Sequence, residues 1–480
     1  MTTIAVVGGG ITGLAAANEL ANLRPSARHS EVRDASSLEI VVIEGSERLG
    51  GRILTTPVAG RMVDAGADAF LARHPAGVEL CRQLGVDDRL VSPAARSAYV
   101  YVDGALRPLP IETLLGVPTD LDAVARSGLL SPAGVQRAAA DLDGRAVALT
   151  DGADVSVGEL VRARLGDEVL ERLVDPLVGG ISVGDSDRLS VRATTPQLAE
   201  AAAEPSLIEG ARALRQAAAT EPGAPVFFGF PDGMGELVNA VGAALTAAGV
   251  VTRVGTPVET ITPSANGGWH LGLGDEAIDT DAVVLAVPSF VAAGLVTEAA
   301  PDAAAALAAI EYASVVLVTL AVPAHAIGRP LDGSGFLVPR SERLLMTACS
   351  WASSKWRHLA PRRPDEPVLL RVSAGRAGDR RALELDADNL VATVLDELAR
   401  TMSLSGAPLE VRVTPWPQSF PQYAVGHLDR VAAIETELAD RAPGLAVAGA
   451  AYRGLGIPAC IDQGRRAARS ALDALAARSA

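Results

Sequence analysis

Three glycines near the start of the chain are spaced for binding a phosphate group. Gly8, Gly10 and Gly13 form the pattern G-x-G-x-x-G between the apolar run 4–7 and an alanine-rich stretch. In a strand–turn–helix unit, the first glycine permits the tight turn, the second lets the backbone approach a pyrophosphate, and the third lets the helix pack on the strand. The N-terminus of that helix directs free N–H groups at the phosphates. We therefore predict a dinucleotide-binding loop with contacts at Gly8, Gly9, Gly10, Ile11, Thr12 and Gly13.

An acidic residue completes this motif at the end of the second predicted strand. Glu44 follows the apolar run 38–43 and is of the type that binds the ribose hydroxyls of a dinucleotide. Its separation from Gly13 exceeds the usual ~20 residues. The excess falls at 24–37, where Pro, Ser, Asp and Arg without an apolar period predict a surface loop. The motif up to Glu44 leaves open which dinucleotide is bound.

The composition indicates a globular protein with two or three lobes. The chain has 480 residues, of which 49% are hydrophobic, and this is enough for sizeable cores. A net charge of −15 without a basic stripe argues against nucleic acid as a partner. The basic residues are almost all arginines, which suit planar, bidentate binding of carboxylates. An acidic small-molecule substrate is therefore compatible with an acidic protein.

The cysteines, histidines and apolar runs bear on location and on metals. Cys81, Cys349 and Cys460 are far apart, as in a reduced cytoplasmic protein. The six histidines lack ligand spacing, so no metal site is predicted. The apolar runs 283–287 and 313–322 are too short or too interrupted to span a bilayer. Because the N-terminus enters its predicted strand at once, we expect no targeting segment. We expect a cytoplasmic protein without a transmembrane segment; peripheral contact with a membrane stays open.

The residues from Glu44 onward resemble one superfamily of flavoproteins. The stretch 44–52, Glu-Gly-Ser-Glu-Arg-Leu-Gly-Gly-Arg, is similar to the extended motif of the FAD-binding amine-oxidase-like proteins, in which it wraps the diphosphate. The resemblance continues through 63–70, a segment that passes beside the flavin ring in that superfamily. It implies FAD as the cofactor, with contacts at Glu44, Gly45, Gly51, Arg52, Gly66, Ala67, Asp68 and Ala69.

Later segments resemble one family of that superfamily, the porphyrinogen oxidases of haem biosynthesis, in the soluble Gram-positive form. The resemblance lies in 70–75, the Tyr-Val-Asp-Gly hairpin at 98–110, the Gly-Val-Pro-Thr element within 115–120, and 175–185, and it ends in Gly-Leu-Gly-Ile-Pro followed by Cys-Ile-Asp-Gln-Gly-Arg at 454–465. It therefore covers the chain from end to end.

The family match implies further cofactor contacts. Val258, in a run 251–261 that we predict as a strand, would bind the adenine through its backbone, and Trp416 would lie by the isoalloxazine. A C-terminal strand, a glycine loop and a helix beginning near Pro458 would direct a helix N-terminus at the flavin. Such a terminus stabilises the anion that forms there on reduction. The implied loop contacts are Gly449, Leu455, Gly456 and Ile457.

These elements predict an α/β fold in three parts. A Rossmann-like, discontinuous FAD-binding domain is joined to a substrate domain on a second, mixed or antiparallel sheet, with an inserted helical lobe. The predicted boundaries are 1–75, 225–290 and 425–480 for the FAD-binding domain, 76–119, 205–224 and 291–424 for the substrate-binding domain, and 120–204 for the helical lobe.

The resemblance implies oxidation of coproporphyrinogen III to coproporphyrin III with molecular oxygen, and the alternative substrate is protoporphyrinogen IX. The Gram-positive-type motifs and the lack of a membrane segment favour the first. The flavin carries the redox step, so no side chain is assigned as catalytic. A ferrochelatase-type enzyme that acts next in the pathway is a candidate partner. The predicted substrate contacts, four of them arginines beside segments that border a cavity, are Arg73, Arg107, Gly179, Gly180, Arg340 and Arg343.

Two other functions rank lower. A flavin amine oxidase would need an aromatic cage, yet aromatic residues make up only 3% of the chain. Its lysine would have to be Lys355, the sole lysine, which lies in a porphyrinogen-oxidase-like stretch. A porphyrin carrier without turnover would not need the flavin frame of Glu44, Arg52 and the C-terminal loop.

Overall fold

A computed structural model of the chain describes residues 2–24, 38–95, 97–144, 154–218, 224–265 and 267–479. Apart from Arg24, the predicted surface insert at 24–37 lies outside these residues.

Five parallel strands form the sheet that carries the glycine loop. They are buried on both faces where they are central, which explains their continuous β-branched runs. The strands come from both ends and the middle of the chain, so the Rossmann-like domain is discontinuous, as predicted. Their order across the sheet is Val251–Arg253, Leu38–Ile43, Thr2–Val7, Ala282–Leu285 and Leu445–Val447.

Two helices pack side by side against this sheet. Ile11–Leu23 and the long C-terminal helix Ile457–Ser479 each contact strands of the sheet, and they also contact each other. Small residues permit the close approach, since a Cβ at Gly464 would overlap the carbonyl oxygen of Thr12. The C-terminal helix begins next to Pro458, as predicted.

A second sheet of seven strands forms the other large layer. Neighbouring strands are antiparallel except for one parallel pair, Gly335–Leu337 with Tyr99–Val102, so the sheet is mixed, as predicted. The predicted Asp103-Gly104 turn closes the hairpin at its edge, and both residues have the positive φ of a type I′ turn, 53° and 74°. The order is Glu410–Pro421, Tyr312–Val322, Val368–Ala374, Met346–Ser350, Gly335–Leu337, Tyr99–Val102 and Ala105–Pro108.

The helices between 121 and 217 share one apolar core. Serine N-caps begin two of them: Ser131 Oγ accepts a bond from Gly134 N at 3.0 Å, and Ser156 Oγ accepts one from Glu159 N at 3.0 Å. The helices are Leu121–Ser127, Pro132–Ala139, Val157–Leu165, Asp167–Val169, Asp175–Ser182, Val191–Thr194, Pro196–Ala201 and Leu207–Ala217, with a 3₁₀ turn at Ala140–Asp143 and a π-helical turn at Leu170–Val174. The last of these, Leu207–Ala217, falls in the segment that the predicted division gives to the substrate domain, and it packs in the helical core.

The remaining elements connect and cover these layers. A three-stranded antiparallel sheet consists of Thr260–Pro263, Trp269–Leu273 and Glu276–Thr280. Short strand pairs are Thr55–Val58 with Arg61–Asp64, Phe70–Leu71 with Phe227–Phe228, and Thr113–Leu114 with Val117–Pro118. The other α-helices are Pro75–Gln83, Gly235–Ala247, Ser289–Val296, Pro301–Ala308, Ala352–Lys355, Arg381–Glu384, Ala387–Met402 and His427–Arg441, with 3₁₀ turns at Asp87–Arg89, Ala324–Ala326, Arg340–Glu342 and Arg357–Leu359. Within the described ranges, none of the helices combines the length and the apolarity that crossing a bilayer requires.

A buried ion pair holds the helical core together. Arg164 Nε donates to Asp141 Oδ1 at 2.7 Å, and the two side chains are 3% and 0% exposed. The other carboxylate oxygen accepts bonds from Ser206 Oγ at 2.8 Å and Ile208 N at 2.9 Å. Arg164 also donates to two backbone carbonyls at 204–205. Removing one partner would leave the other charge buried without compensation.

We expect Asp141→Ala to lower the free energy of unfolding of the helical part by about 3–5 kcal/mol. Denaturant unfolding and limited proteolysis of the purified protein would measure this. The matched control is Arg188→Ala, which removes an ion pair with Glu311 whose side chains are 55% and 62% exposed and should cost about 1 kcal/mol or less. Equal effects of the two substitutions would contradict the expectation.

Candidate active site

The glycine loop that follows the first strand has the geometry of a phosphate cradle. Gly8 has φ +108°, and a Cβ there would overlap the carbonyl oxygen of Ala286. A Cβ at Gly13 would overlap the carbonyl oxygen of Gly8, so both positions require glycine for close packing. At Gly10, in contrast, no atom lies within 4 Å of the position of the missing Cβ. This open space beside the N-terminus of Ile11–Leu23 is where a pyrophosphate would fit.

Glu44 ties the glycine loop to the segment that follows the second strand. Its Oε2 accepts a bond from Gly9 N at 2.6 Å, and its Oε1 accepts bonds from Ser46 N at 2.8 Å and Ser46 Oγ at 2.7 Å. Gly50 N donates to the carbonyl of Gly9 at 2.8 Å. Oε2 keeps a lone pair for a ribose hydroxyl, whereas both lone pairs of Oε1 are used by Ser46. Glu44 therefore both shapes the cradle and remains able to bind the ribose.

Residues 50–52 cross over the glycine loop, and Arg52 leads to the second sheet. A Cβ at Gly51 would lie 3.1 Å from Gly10 Cα. The guanidinium carbon of Arg52 lies 5.4 Å from the ring centroid of Trp416, and burial lowers the pKa of Arg52. Trp416 Nε1 donates to the carbonyl of Ala65 at 2.7 Å. The structure thus brings together the predicted diphosphate arginine, the predicted flavin-side tryptophan and the start of the segment 65–69.

The same segment carries an ion cluster. Asp68 Oδ2 accepts a bond from Lys355 Nζ at 2.7 Å and lies 3.3 Å from Arg371 NH1, and Arg371 NH2 donates to the carbonyl of Gly66 at 2.9 Å. Burial acts to raise the pKa of Asp68, but the charges of Lys355 and Arg371 outweigh it and hold the pKa far below its usual range. Asp68 is therefore ionised and fixed between two cations. Sequence reasoning missed Arg371, whose signal was a single arginine within the apolar strand Val368–Ala374.

Two aromatic residues that were not predicted hold the C-terminal loop. Tyr423 Oη donates to the carbonyl of Ala450 at 2.6 Å and accepts a bond from Gly454 N at 2.8 Å. His427 Nε2 lies 2.9 Å from the carbonyl oxygen of Tyr452. The rings of Tyr423 and His427 stack with centroids 4.0 Å apart. The loop that carries Gly449, Leu455, Gly456 and Ile457 is therefore anchored from beneath at three of its backbone positions.

The segment around Val258 is not one continuous strand, so the prediction of a strand over 251–261 is wrong. The strand ends at Arg253 and pairing resumes at Thr260. Gly255, with a positive φ, and Pro257 interrupt the ladder between them. The segment between the two strands is hydrogen-bonded to Glu44, because Thr256 N donates to the Glu44 carbonyl at 2.9 Å. The missing Cβ of Gly45 would lie 3.6 Å from Pro257, which places Val258 close to the predicted ribose end of the cradle.

The predicted substrate contacts fall in several places. Gly179 and Gly180 lie in the helix Asp175–Ser182, where the missing Cβ of Gly180 would lie 3.5 Å from a side-chain carbon of Leu337. Arg340 Nε lies 3.4 Å from Asp175 Oδ2. The structure therefore brings Gly179, Gly180 and Arg340 together.

Of the other three predicted arginines, Arg343 directly follows the 3₁₀ turn that begins at Arg340, and Arg73 and Arg107 lie in other segments. Arg73 and Arg343 are exposed. Arg107 lies on the edge strand of the second sheet, where its guanidinium would be 2.7 Å from a Cβ at Gly128. Their substrate contacts stay predictions.

The residues present fit a flavin dinucleotide. Three glycines from different parts of the chain, Gly10, Gly449 and Gly456, have missing Cβ positions that meet nothing closer than 3.8 Å. A carboxylate stands at the ribose end, an arginine and a helix N-terminus stand where the diphosphate would lie, and a second helix begins at Ile457.

The fold and this cradle define an FAD-dependent oxidoreductase. The chain belongs to the family of flavin containing amine oxidoreductases, whose model matches residues 11–472. The predictions of the fold class, of FAD as cofactor and of an oxidoreductase are confirmed.

Relatives of known name match over nearly the full length. A coproporphyrinogen III oxidase from Bacillus subtilis is 35% identical, and the match covers 98% of this chain and 97% of the relative. A coproporphyrinogen III oxidase from Staphylococcus aureus is 31% identical, with 98% and 99% covered. A crystal structure of a candidate protoporphyrinogen oxidase from Exiguobacterium has a TM-score of 0.85 at 29% identity, with 98% of this chain and 99% of that chain covered. The resemblance seen in the motifs is confirmed.

We expect Gly10→Ala and Gly13→Ala to separate cofactor binding from folding. Gly10→Ala adds a methyl group to open space, so the apoprotein should keep its unfolding temperature while FAD affinity falls about tenfold or more. Gly13→Ala forces a clash with backbone and should destabilise the apoprotein by about 1–3 kcal/mol. Thermal unfolding and flavin fluorescence titration measure the two quantities. Wild-type FAD affinity in Gly10→Ala would contradict the assignment of the cradle.

His427 should make stability depend on pH. Burial lowers its pKa from the ordinary 6.5, so the folded protein keeps the imidazole neutral. As pH falls below about 6.5, the unfolded chain binds a proton that the folded chain resists, and stability is lost. Between about pH 7.5 and about pH 5.5, the unfolding temperature should therefore fall more in the wild type than in His427→Asn. The control is the exposed His270: His270→Asn should keep the wild-type pH dependence, and an unchanged slope in His427→Asn would refute the expectation.

Proposed function

We propose that this protein oxidises coproporphyrinogen III to coproporphyrin III in haem biosynthesis, with FAD as cofactor and molecular oxygen as the final acceptor. One arrangement carries the proposal. An apolar cluster of Val183, Ala313, Val315 and Leu317 packs with Trp416, the tryptophan at the flavin side of the cradle. A flat, apolar macrocycle could pack against this cluster, beside the flavin. The full-length relatives named coproporphyrinogen III oxidase support the same substrate.

The chemistry is divided between cofactor and chain. FAD, when bound, accepts hydrides from the saturated bridges of the tetrapyrrole. The chain has to hold a bridging carbon in place and exclude water. Trp416 is suited to the first task because its bond to the Ala65 carbonyl fixes the ring plane. The N-terminus of Ile457–Ser479 favours negative charge at the flavin.

The cluster of Lys355, Asp68 and Arg371 places a surplus positive charge beside the predicted flavin segment. Because Asp68 accepts a hydrogen bond from Lys355 and pairs with Arg371, the ammonium and the guanidinium are fixed in position. Their combined field favours negative charge at the predicted flavin site. We assign these residues to positioning and electrostatics, and to no proton transfer.

Location and partners complete the proposal. The three cysteines are buried free thiols, which fits the reducing cytoplasm. We therefore propose a cytoplasmic location, which is also compatible with peripheral contact with a membrane. A ferrochelatase-type enzyme would take the released porphyrin.

Turnover of two substrates tests the proposal. Flavin-loaded protein, incubated aerobically with coproporphyrinogen III or protoporphyrinogen IX, should show a kcat/KM about tenfold or more higher for the first, because the second has lost two carboxylates that arginines can bind. Porphyrin fluorescence and peroxide formation are the readouts, with free FAD as the control for spontaneous oxidation. Preference for protoporphyrinogen IX would move the protein to the alternative that the Exiguobacterium structure represents. Activity on neither, with flavin reduction by an amine under anaerobic conditions, would indicate an amine oxidase.

The predicted anchors can be tested one at a time. We expect Arg340→Ala to raise KM for coproporphyrinogen III by about tenfold, since it removes a charge beside the Gly179–Gly180 segment. Arg73→Ala tests the exposed anchor in the same assay. Unchanged KM values in both variants would show that these two arginines do not bind propionates.

A further inference from the structure

One arginine beside the apolar cluster has a charge that its surroundings leave largely unneutralised. Arg376 follows the strand Val368–Ala374 and is half-buried. Within the described part of the chain, the hydrogen bond of its guanidinium is a long one, 3.5 Å from NH2 to the carbonyl of Met346. A guanidinium has five N–H donors. Most of this capacity is thus free for a ligand.

The carboxylates nearby are shared or already engaged. Asp379 binds Arg381, with 3.0 Å to Nε and 2.7 Å to NH2. Asp175 lies 3.4 Å from Arg340 Nε. Asp175 is therefore the main counter-charge for two guanidinium groups, those of Arg340 and Arg376. Burial, and then the charge of Arg340, lower the pKa of Arg376 to about 10, which is the expected response of a cation that lacks a partner.

These two arginines lie beside the apolar cluster of Val183, Ala313, Val315 and Leu317. Arg340 NH1 donates to the carbonyl of Ala377 at 3.3 Å, and Ala377 N donates to the carbonyl of Val183 at 2.8 Å. Ala377 packs on the apolar cluster that reaches Trp416. The apolar cluster thus contacts Trp416 and also lies beside Arg340 and Arg376.

We propose that Arg376, together with Arg340, binds a carboxylate of the substrate and so sets the orientation of the macrocycle against the flavin. This inference rests on the proposed function. A planar guanidinium binds a carboxylate in bidentate fashion, and a propionate would supply the charge that Asp175 alone does not. Arg376 therefore makes the site selective for a porphyrinogen with an acidic side chain at that corner.

Binding of the product analogue tests the inference without turnover. Coproporphyrin III, with four carboxylates, and its tetramethyl ester, with none, are titrated into the flavin-loaded protein, and the Kd is read from porphyrin fluorescence. We expect Arg376→Met to raise the Kd of the acid about tenfold or more and to leave that of the ester unchanged, with partial recovery in Arg376→Lys. The matched control is Arg380→Met on the same loop, whose side chain is 82% exposed beside Glu384.

Two outcomes would overturn the inference. An unchanged Kd for the acid in Arg376→Met would mean that this arginine does not bind the carboxylate. An equal loss of affinity for the acid and the ester would mean that its role is structural. If Arg376→Met does not fold, the same comparison of acid and ester in Arg376→Lys decides.

The wild type separates this inference from the proposed function. If the wild type neither binds nor turns over a porphyrinogen, the proposed function fails. If it turns over coproporphyrinogen III and Arg376→Met behaves as the wild type, only the inference fails.

Discussion

The cofactor domain depends on close contact between backbone atoms at glycine residues, where a side chain would not fit. Gly13 packs on the carbonyl of Gly8, and Gly464 packs on the carbonyl of Thr12, with no room for a Cβ at either contact. The first helix is thereby pressed against the first strand on one side and against the C-terminal helix on the other. The loop that precedes the C-terminal helix lies near the start of the first helix, since a Cβ at Gly449 would be 3.8 Å from Thr12 Oγ1. One packing arrangement therefore positions the predicted diphosphate contacts and the predicted flavin contacts together.

Buried and partly buried carboxylates hold separate segments of the chain together through hydrogen bonds and ion pairs. Glu397, which is 3% exposed, accepts bonds from Leu345 N at 2.6 Å and Met346 N at 2.8 Å, at the start of a strand of the second sheet. Asp141 does the same for the helical core, and Asp68 for the segment that we predict to contact the flavin. Each carboxylate joins residues that are far apart in sequence. These contacts fix the backbone at Met346, at Ile208 and at Gly66, and a site that is already rigid loses less entropy when a ligand binds.

Short-range features could be predicted from the sequence because neighbouring residues determine them. The glycine loop, the caps at Ser131 and Ser156 and the Asp103-Gly104 turn all depend on spacing within a few residues. The partners of Asp68 and the support of the C-terminal loop by Tyr423 could not be predicted, because these contacts join elements whose relative position only the folded chain defines. The break after Arg253 had a visible signal in Gly255 and Pro257, but the β-branched residues around it outweighed that signal.

Because the strands of the parallel sheet are far apart in sequence, they become available for folding at different times during synthesis. The edge strand Leu445–Val447 and the helix Ile457–Ser479 are synthesised after the other four strands of the sheet, yet they complete a layer that begins with Thr2–Val7. The helical core, built from the nearby residues 121–217, can form while synthesis continues, since its contacts are local. The strand Thr2–Val7 can pair with Leu38–Ile43 early in synthesis, whereas its other neighbour, Ala282–Leu285, is made much later. The parallel sheet and the C-terminal glycine loop are therefore completed only after the helical core has been made.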